Sequence, residues 1–262
     1  ARVGLTLNKY LSADYASNAT KTNRMQRALI EAVAKRPANR LYSQGEREET
    51  LAIFETGEAK QKHIRSILGK YNLEGDKDVE ALMSERMQAF FDVDEWAADA
   101  RDNVDVLVGF RLHGNVIGLH QGIPAVFFTY DSRIRELSTL FAIPSVEIED
   151  YMPINLEKIF ESADFSKVQH VYRLNYAEYH RFLTENGLNH VLAKPVASPP
   201  EQPLVKPNLV KIDQTTEEVT DWFRGEVDFM TGEIETLRSR AWNLELKLRE
   251  KTSPDAGAKL AS

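Results

Sequence analysis

The chain has 262 residues, 42% hydrophobic and 28% charged, enough for one large or two modest domains of ordinary globular composition. Its 40 acids against 33 bases leave a formal charge of -7 with no basic block, which argues against sequence-independent binding to nucleic acid. The absence of cysteine excludes disulfides, thiolate nucleophiles and Cys-ligated metals, and the apolar runs at residues 104–110 and 123–128 are far shorter than the ~20 residues of a spanning helix.

The first residues have no signal-peptide layout, so a cytoplasmic protein is expected. They open on a strand-like run, residues 3–7, that ends at Asn8. Residues 23–35 place Met25, Leu29, Ile30 and Val33 on one helical face. A second strand is expected at 40–43, closed by Gln44-Gly45. Residues 46–71 are charged and helical in spacing, and a further helix is expected at 78–89. Asp92 or Asp94 suits the cap of a helix running through Ala100.

The middle of the chain is the most legible. Val104-Asp105-Val106-Leu107-Val108-Gly109-Phe110 has the apolar, β-branched character of a central parallel strand. A helix at 114–120, a strand at 123–129, a helix at 133–141 and a strand at 146–148 follow, then helices at 155–162 and 168–185. Strands alternating with helices predict an α/β fold, a Rossmann-like parallel sheet flanked by helices. Tyr172, Tyr176, Tyr179 and Phe182 recur at helical spacing and are expected in the core.

Arg111-Leu112-His113-Gly114-Asn115 stands between a strand and a helix, where ligands collect in such sheets. Unpaired amides at the helix start favour an anion. Arg111 adds a permanent cation able to bind carboxylate or phosphate in a bidentate way. His113 adds a group able to hold or deliver a proton near neutral pH. Gly114 removes a side chain that would keep a ligand off the backbone. The site is therefore expected to take a small anion, such as a phosphorylated donor.

The segment from Phe110 to Asp131 resembles the hallmark of the polysaccharide pyruvyl transferase family. The matching features are Arg111-Leu112-His113-Gly114, a small-residue helix, Gly122-Ile123-Pro124 and Tyr130-Asp131 at the next strand end. A weaker likeness in strand order and spacing runs from about Val3 to Gly187. The resemblance implies one half, the C-terminal half, of a glycosyltransferase-B-like fold. It also implies transfer of a pyruvyl group from phosphoenolpyruvate to a sugar hydroxyl of a surface polysaccharide or its precursor. Arg111 and His113 would then be catalytic, with Arg111 holding the donor's anionic groups and His113 binding the donor or acting as general acid. Phe110 departs from the family, where a small polar residue is common. The family's N-terminal half has no counterpart in this sequence, and Gly75-Asp76 does not replace its Asn-X-Gly-Asp-type loop; the chain alone is expected to fold without being active.

Asn8, Gln44, Gly114, Asn115, Tyr130 and Asp131 join Arg111 and His113 as expected substrate-binding residues. Arg133 adds positive potential, while Arg135 and His120 read as structural. The histidines have no metal-like spacing, so neither a metal nor a cofactor beyond the phosphoenolpyruvate donor is expected. Two other functions suit the same features: glycosyl transfer from a nucleotide sugar, whose diphosphate would fit the same helix start, and a non-catalytic assembly module. A ribose-binding acid at a strand end would favour the first, and none stands out in the sequence.

Five of the ten prolines fall between Pro195 and Pro207. This predicts a stiff linker at 194–214 after a donor-binding domain at 1–193. A long amphipathic helix at 215–251 and a loose tail at 252–262 complete the expected order. Phe223, Val227, Met230, Ile234, Leu237, Ala241, Leu244 and Leu248 step by four and three, the a/d seam of a coiled coil. The chain is thus expected to form a homo-oligomer through 215–251.

Overall fold

The computed structural model describes residues 1–11, 19–44, 46–148, 154–195 and 215–252. Their contacts form two compact units, Ala1–Ile212 and Asp213–Ser262.

The first unit is built on six strands: β1 (Val3–Thr6), β2 (Asn39–Tyr42), β3 (Met87–Gln88), β4 (Val106–Gly109), β5 (Ala125–Thr129) and β6 (Ser145–Glu147). All pair in parallel, in the order β3-β2-β1-β4-β5-β6. The helices are α1 (Ala19–Ala34), α2 (Arg47–Phe54), α3 (Gly57–Tyr71), α4 (Lys77–Glu85), α5 (Val93–Asn103), α6 (Leu112–His120), α7 (Ser132–Leu140), α8 (Leu156–Ser162) and α9 (Val168–Glu185).

Both faces of the sheet are covered, as a parallel sheet requires. Val106, Val108 and Phe110 point into one core with Leu5, Leu29 and Leu68. Leu107 points into the other with Ala125 and Phe127. Close approach on that second face depends on Gly118, where a Cβ would lie 2.0 Å from Leu107 Cδ1. The α/β, Rossmann-like architecture expected from the alternation of strands and helices is the one observed.

The boundaries differ in instructive ways. Residues 46–71 form two helices, because Glu55 is extended and Gly57 has a φ of +58°. The helix expected to reach Ala89 stops at Glu85, and Met87–Gln88 pair with Leu41 and Tyr42 as edge strand β3. Two residues are too few for a period-2 pattern to register. Asp76 and Asp92 cap α4 and α5 by accepting from backbone amides in each first turn. The aromatic stripe of α9 is a correction: Tyr172, Tyr179 and Phe182 are exposed, while Val171, Leu174 and Ala177 face the core. Helical spacing identifies a shared face but not which face is buried.

The second unit contains α10 (Thr216–Thr252). Of the heptad seam, Val227, Ile234, Leu237, Ala241 and Leu244 are exposed. The side chains of Phe223, Met230 and Leu248 lie outside the described residues, as do the greater part of the expected linker, 196–214, and the tail, 253–262.

Candidate functional site

The strand order reverses direction between β1 and β4. The helix after β1 buries Met25, Leu29 and Ile30 on one face of the sheet, whereas the helix after β4 packs Leu112, Val116 and Leu119 on the other. The carboxyl ends of β1 and β4 therefore flank a switch point, the place where doubly wound sheets open a crevice for ligands. Asn8 follows β1 there, and Arg111 follows β4.

Gly109 makes this junction. Its φ is +149°, and a Cβ at this position would lie 2.1 Å from Thr6 O. The chain can then turn so that the Phe110 and Arg111 amides both donate to Thr6 O, at 2.8 and 3.4 Å. Phe110 is fully buried and packs on Phe128 and Tyr130, with ring centroids 5.3 and 6.1 Å away. This explains the departure from the family's small polar residue, since the side chain belongs to the core and not to the crevice.

Arg111 crosses the switch point. Its Nε donates to Leu7 O at 3.1 Å, and Nη2 donates to Glu46 Oε1 at 2.6 Å. Sequence reading missed Glu46 because it sits within a charged run that looks like a solvated helix face. The visible signal was an acid directly after the Gln44-Gly45 strand end. Around the pair are polar atoms without protein partners: Asn8 Nδ2, Ser43 Oγ and Gln44 Nε2 are buried and complete no hydrogen bond. Asn8 nevertheless lies close enough to the Tyr130 hydroxyl to favour its ionised form. Burial is the larger influence there and, with Asp131, holds the Tyr130 hydroxyl above the ordinary tyrosine range.

Glu49 was also missed. It lies in the first turn of α2, three residues after the N-cap Glu46, and its carboxyl is pushed up to about 7. Burial is the main cause, the nearby Glu46 adds to it, and Ser43, Arg111 and Lys70 offset part. Ser43 acts by proximity, since its hydroxyl completes no hydrogen bond.

The expected site residues divide into two groups. Arg111, Asn8, Gln44 and Tyr130 converge on the switch point, and His113 is exposed in the first turn of α6 beside them in sequence. Gly114 and Asn115 are instead buried. A Cβ at Gly114 would press within 2.8 Å of the Thr6 methyl and 3.0 Å of Gln44 Nε2, so its smallness serves packing. Asn115 accepts from Thr6 Oγ1 at 2.9 Å and donates to Gly109 O at 3.2 Å; its amide holds β1 to β4 rather than facing a ligand. Asp131 caps α7 by accepting from Ile134 N at 2.8 Å. Arg133 is exposed, 3.8 Å from Asp131, and Arg135 forms a forked pair with Glu147 at 2.9 and 3.2 Å. Among the described residues no group of three His, Cys, Asp or Glu could hold a metal.

An apolar groove of about 650 Å³ lies at the opposite end of the sheet, lined by Ile123, Pro124, Ile143, Val168 and Tyr172, with His120 at its edge. It lacks the converging polar groups of the switch point.

Residues 4–132 match the family model described as Polysaccharide pyruvyl transferase. Over that stretch the chain is similar to the polysaccharide pyruvyl transferase family, as the Arg111-Leu112-His113-Gly114 turn suggested. The match spans β1 to the start of α7 and so includes every residue at the switch point. Searches of curated proteins and of solved structures returned no match. Among the described residues no helix is long and apolar enough to cross a membrane.

Proposed function

We propose that the switch point binds phosphoenolpyruvate and that the protein takes part in moving its pyruvyl group to a sugar hydroxyl of a surface polysaccharide or its precursor. The observation that carries this reading is Arg111 held across β1 and β4 at the start of α6. A guanidinium and a helix N-terminus at one point suit a ligand with two anionic groups. Buried donors on Asn8, Ser43 and Gln44 supply further hydrogen bonds.

In the proposed reaction His113 delivers a proton to the terminal vinyl carbon, and the phosphate-bearing carbon becomes cationic. A sugar hydroxyl oxygen bonds to that carbon and gives its proton to a base. A second hydroxyl displaces the phosphate, leaving a cyclic ketal and inorganic phosphate. Donor of this kind is a cytoplasmic metabolite, so a cytoplasmic location is part of the proposal. We also propose that α10 joins copies of the chain through its exposed Val227, Ile234, Leu237 and Leu244.

The test is phosphate release in the complete enzyme, which should require donor and acceptor sugar together. Arg111→Ala should weaken donor binding, and His113→Gln should slow turnover more than it weakens binding. Normal turnover in both variants refutes the assignment. Glycosyl transfer from a nucleotide sugar has one observation in its favour, because Glu46 and Glu49 follow β2, where a ribose-binding acid would stand. Glu46 is engaged by Arg111, however. Tight binding of a nucleotide sugar without binding of phosphoenolpyruvate would select that reading.

A further inference from the structure

The reaction proposed for the switch point needs a base, because each acceptor hydroxyl loses its proton as its oxygen bonds to carbon. Glu46 is a carboxylate that stands where Arg111 would hold the donor: its Oε1 accepts from Arg111 Nη2 at 2.6 Å. Its placement is not that of a helix cap. Asp76 and Asp92, the N-cap residues of α4 and α5, accept from amides in the turns they open, whereas Glu46, the N-cap residue of α2, accepts from none. Its side chain is turned to Arg111 instead. Both partners keep bonding capacity. The bonds to Leu7 O and Glu46 occupy Nε and one side of Nη2, which leaves the rest of the guanidinium fork for an anion. Glu46 Oε2 makes no hydrogen bond among the described residues, and the side chain is 37% exposed, open to an acceptor arriving from solvent. The neighbouring candidates are engaged otherwise. Asp131 Oδ1 caps α7 through Ile134 N, and Tyr130, held above the ordinary tyrosine range, keeps its proton at neutral pH.

We propose that Glu46 is the catalytic base of this reaction, accepting the proton of the first acceptor hydroxyl at Oε2 and returning it to the departing phosphate; the proposal rests on the pyruvyl reading of the switch point. Protonation of the vinyl carbon by His113 leaves the phosphate-bearing carbon cationic and the imidazole neutral. The first hydroxyl oxygen bonds to that carbon, and its proton passes to Glu46. Attack on a cation makes the hydroxyl strongly acidic, so a carboxylate is a sufficient base. The bond from carbon to the phosphate oxygen then breaks, its electron pair leaves with the phosphate, and Glu46 returns the proton to that oxygen. The second hydroxyl oxygen bonds to the same carbon, and its proton goes to His113. A cyclic ketal and hydrogen phosphate are formed, and both residues end in their starting states. A carboxylate beside Arg111 also repels the intact donor and favours the cation that follows. It therefore opposes donor binding and promotes turnover, opposite signs that a residue serving only to orient Arg111 would not show.

In the complete enzyme, phosphate release gives turnover, and calorimetric titration of phosphoenolpyruvate gives donor affinity. Glu46→Gln keeps an oxygen that can accept from Arg111 but cannot take the proton. We expect its kcat to fall by roughly 10²–10⁴-fold while phosphoenolpyruvate binds at least as tightly as to wild type. Glu46→Ala should lose turnover to a similar degree and regain part of it with added formate, a carboxylate small enough to enter the vacated space. A residue that only braces the fold would show no such rescue. Normal kcat in Glu46→Gln overturns the proposal, whatever happens to donor affinity. Should Glu46→Gln not fold, Glu46→Ala with and without formate decides in its place. A wild-type enzyme that releases no phosphate removes the pyruvyl reading and this role together, whereas an active wild type with an equally active Glu46→Gln removes this role alone.

Discussion

Arg111 and Glu46 are joined across the mouth of the sheet, Nη2 to Oε1 at 2.6 Å, although 65 positions separate them along the chain. Their side chains are 25% and 37% exposed, so the bond is neither fully screened by water nor fully desolvated. An anion must share Arg111 with Glu46 or displace it. Glu46→Gln should therefore tighten phosphate or sulfate binding, by roughly two- to fivefold for a partly exposed pair of up to ~1 kcal/mol. Calorimetric titration of both forms checks this. Weaker binding in the variant would mean that Glu46 orients Arg111 more than it competes for it.

Glu49 should also leave a mark on stability. Its folded carboxyl is raised to about 7 from the ordinary value of 4.5, so between those values the folded chain holds a proton that the unfolded chain has lost. Stability then falls as pH rises through this window, because the unfolded state binds fewer protons there. Below about pH 4.5 the contribution is fully present, and above 7 it is gone. Replacing Glu49 with Gln should raise stability relative to wild type at pH 8 by roughly 1–3 kcal/mol more than it does at pH 4.5. Urea unfolding at the two pH values gives the comparison; an equal difference at both would contradict the raised value.

Gly109→Ala should destabilise the protein by roughly 2 kcal/mol or more, since the new methyl meets Thr6 O and the positive φ becomes costly. The substitution also moves the turn that delivers Arg111, so anion binding should weaken in the fraction that folds. Chemical denaturation together with sulfate titration tests both effects. Retained stability would show that β4 can end in another conformation.

Asn115→Ala should cost roughly 2–3 kcal/mol, because the buried Thr6 hydroxyl loses its acceptor and Gly109 O loses a donor. A brace and a ligand contact differ in what they change. Lost stability, with binding preserved in the folded fraction, is expected. Lost binding at unchanged stability would instead place Asn115 in the anion site.

For α10 the expected result is self-association that depends on its apolar seam. Sedimentation of the full chain should show an oligomer, and Ile234→Asp with Leu237→Asp should return it to a monomer, since each charge would be buried in the seam. A monomer before and after substitution would remove the coiled-coil proposal.

The sequence by itself determined the strand–helix alternation, the central strand ending near Phe110 and the turn bearing Arg111 and His113. These are local matters: apolar runs mark strands buried on both faces, and glycine next to a helix start marks a turn. Tertiary structure alone decided which residues meet. Glu46 reaches Arg111 because β2 and β4 lie on either side of β1, an adjacency that no spacing along the chain encodes. The same holds inside the motif, where Asn115 looked like a ligand residue until the neighbouring Thr6 turned its amide inward. It also holds on α9, whose aromatic stripe has the period of a buried face yet points outward. Periodicity follows from the backbone of one segment, whereas burial, pairing and proton affinity follow from what the other segments bring beside it.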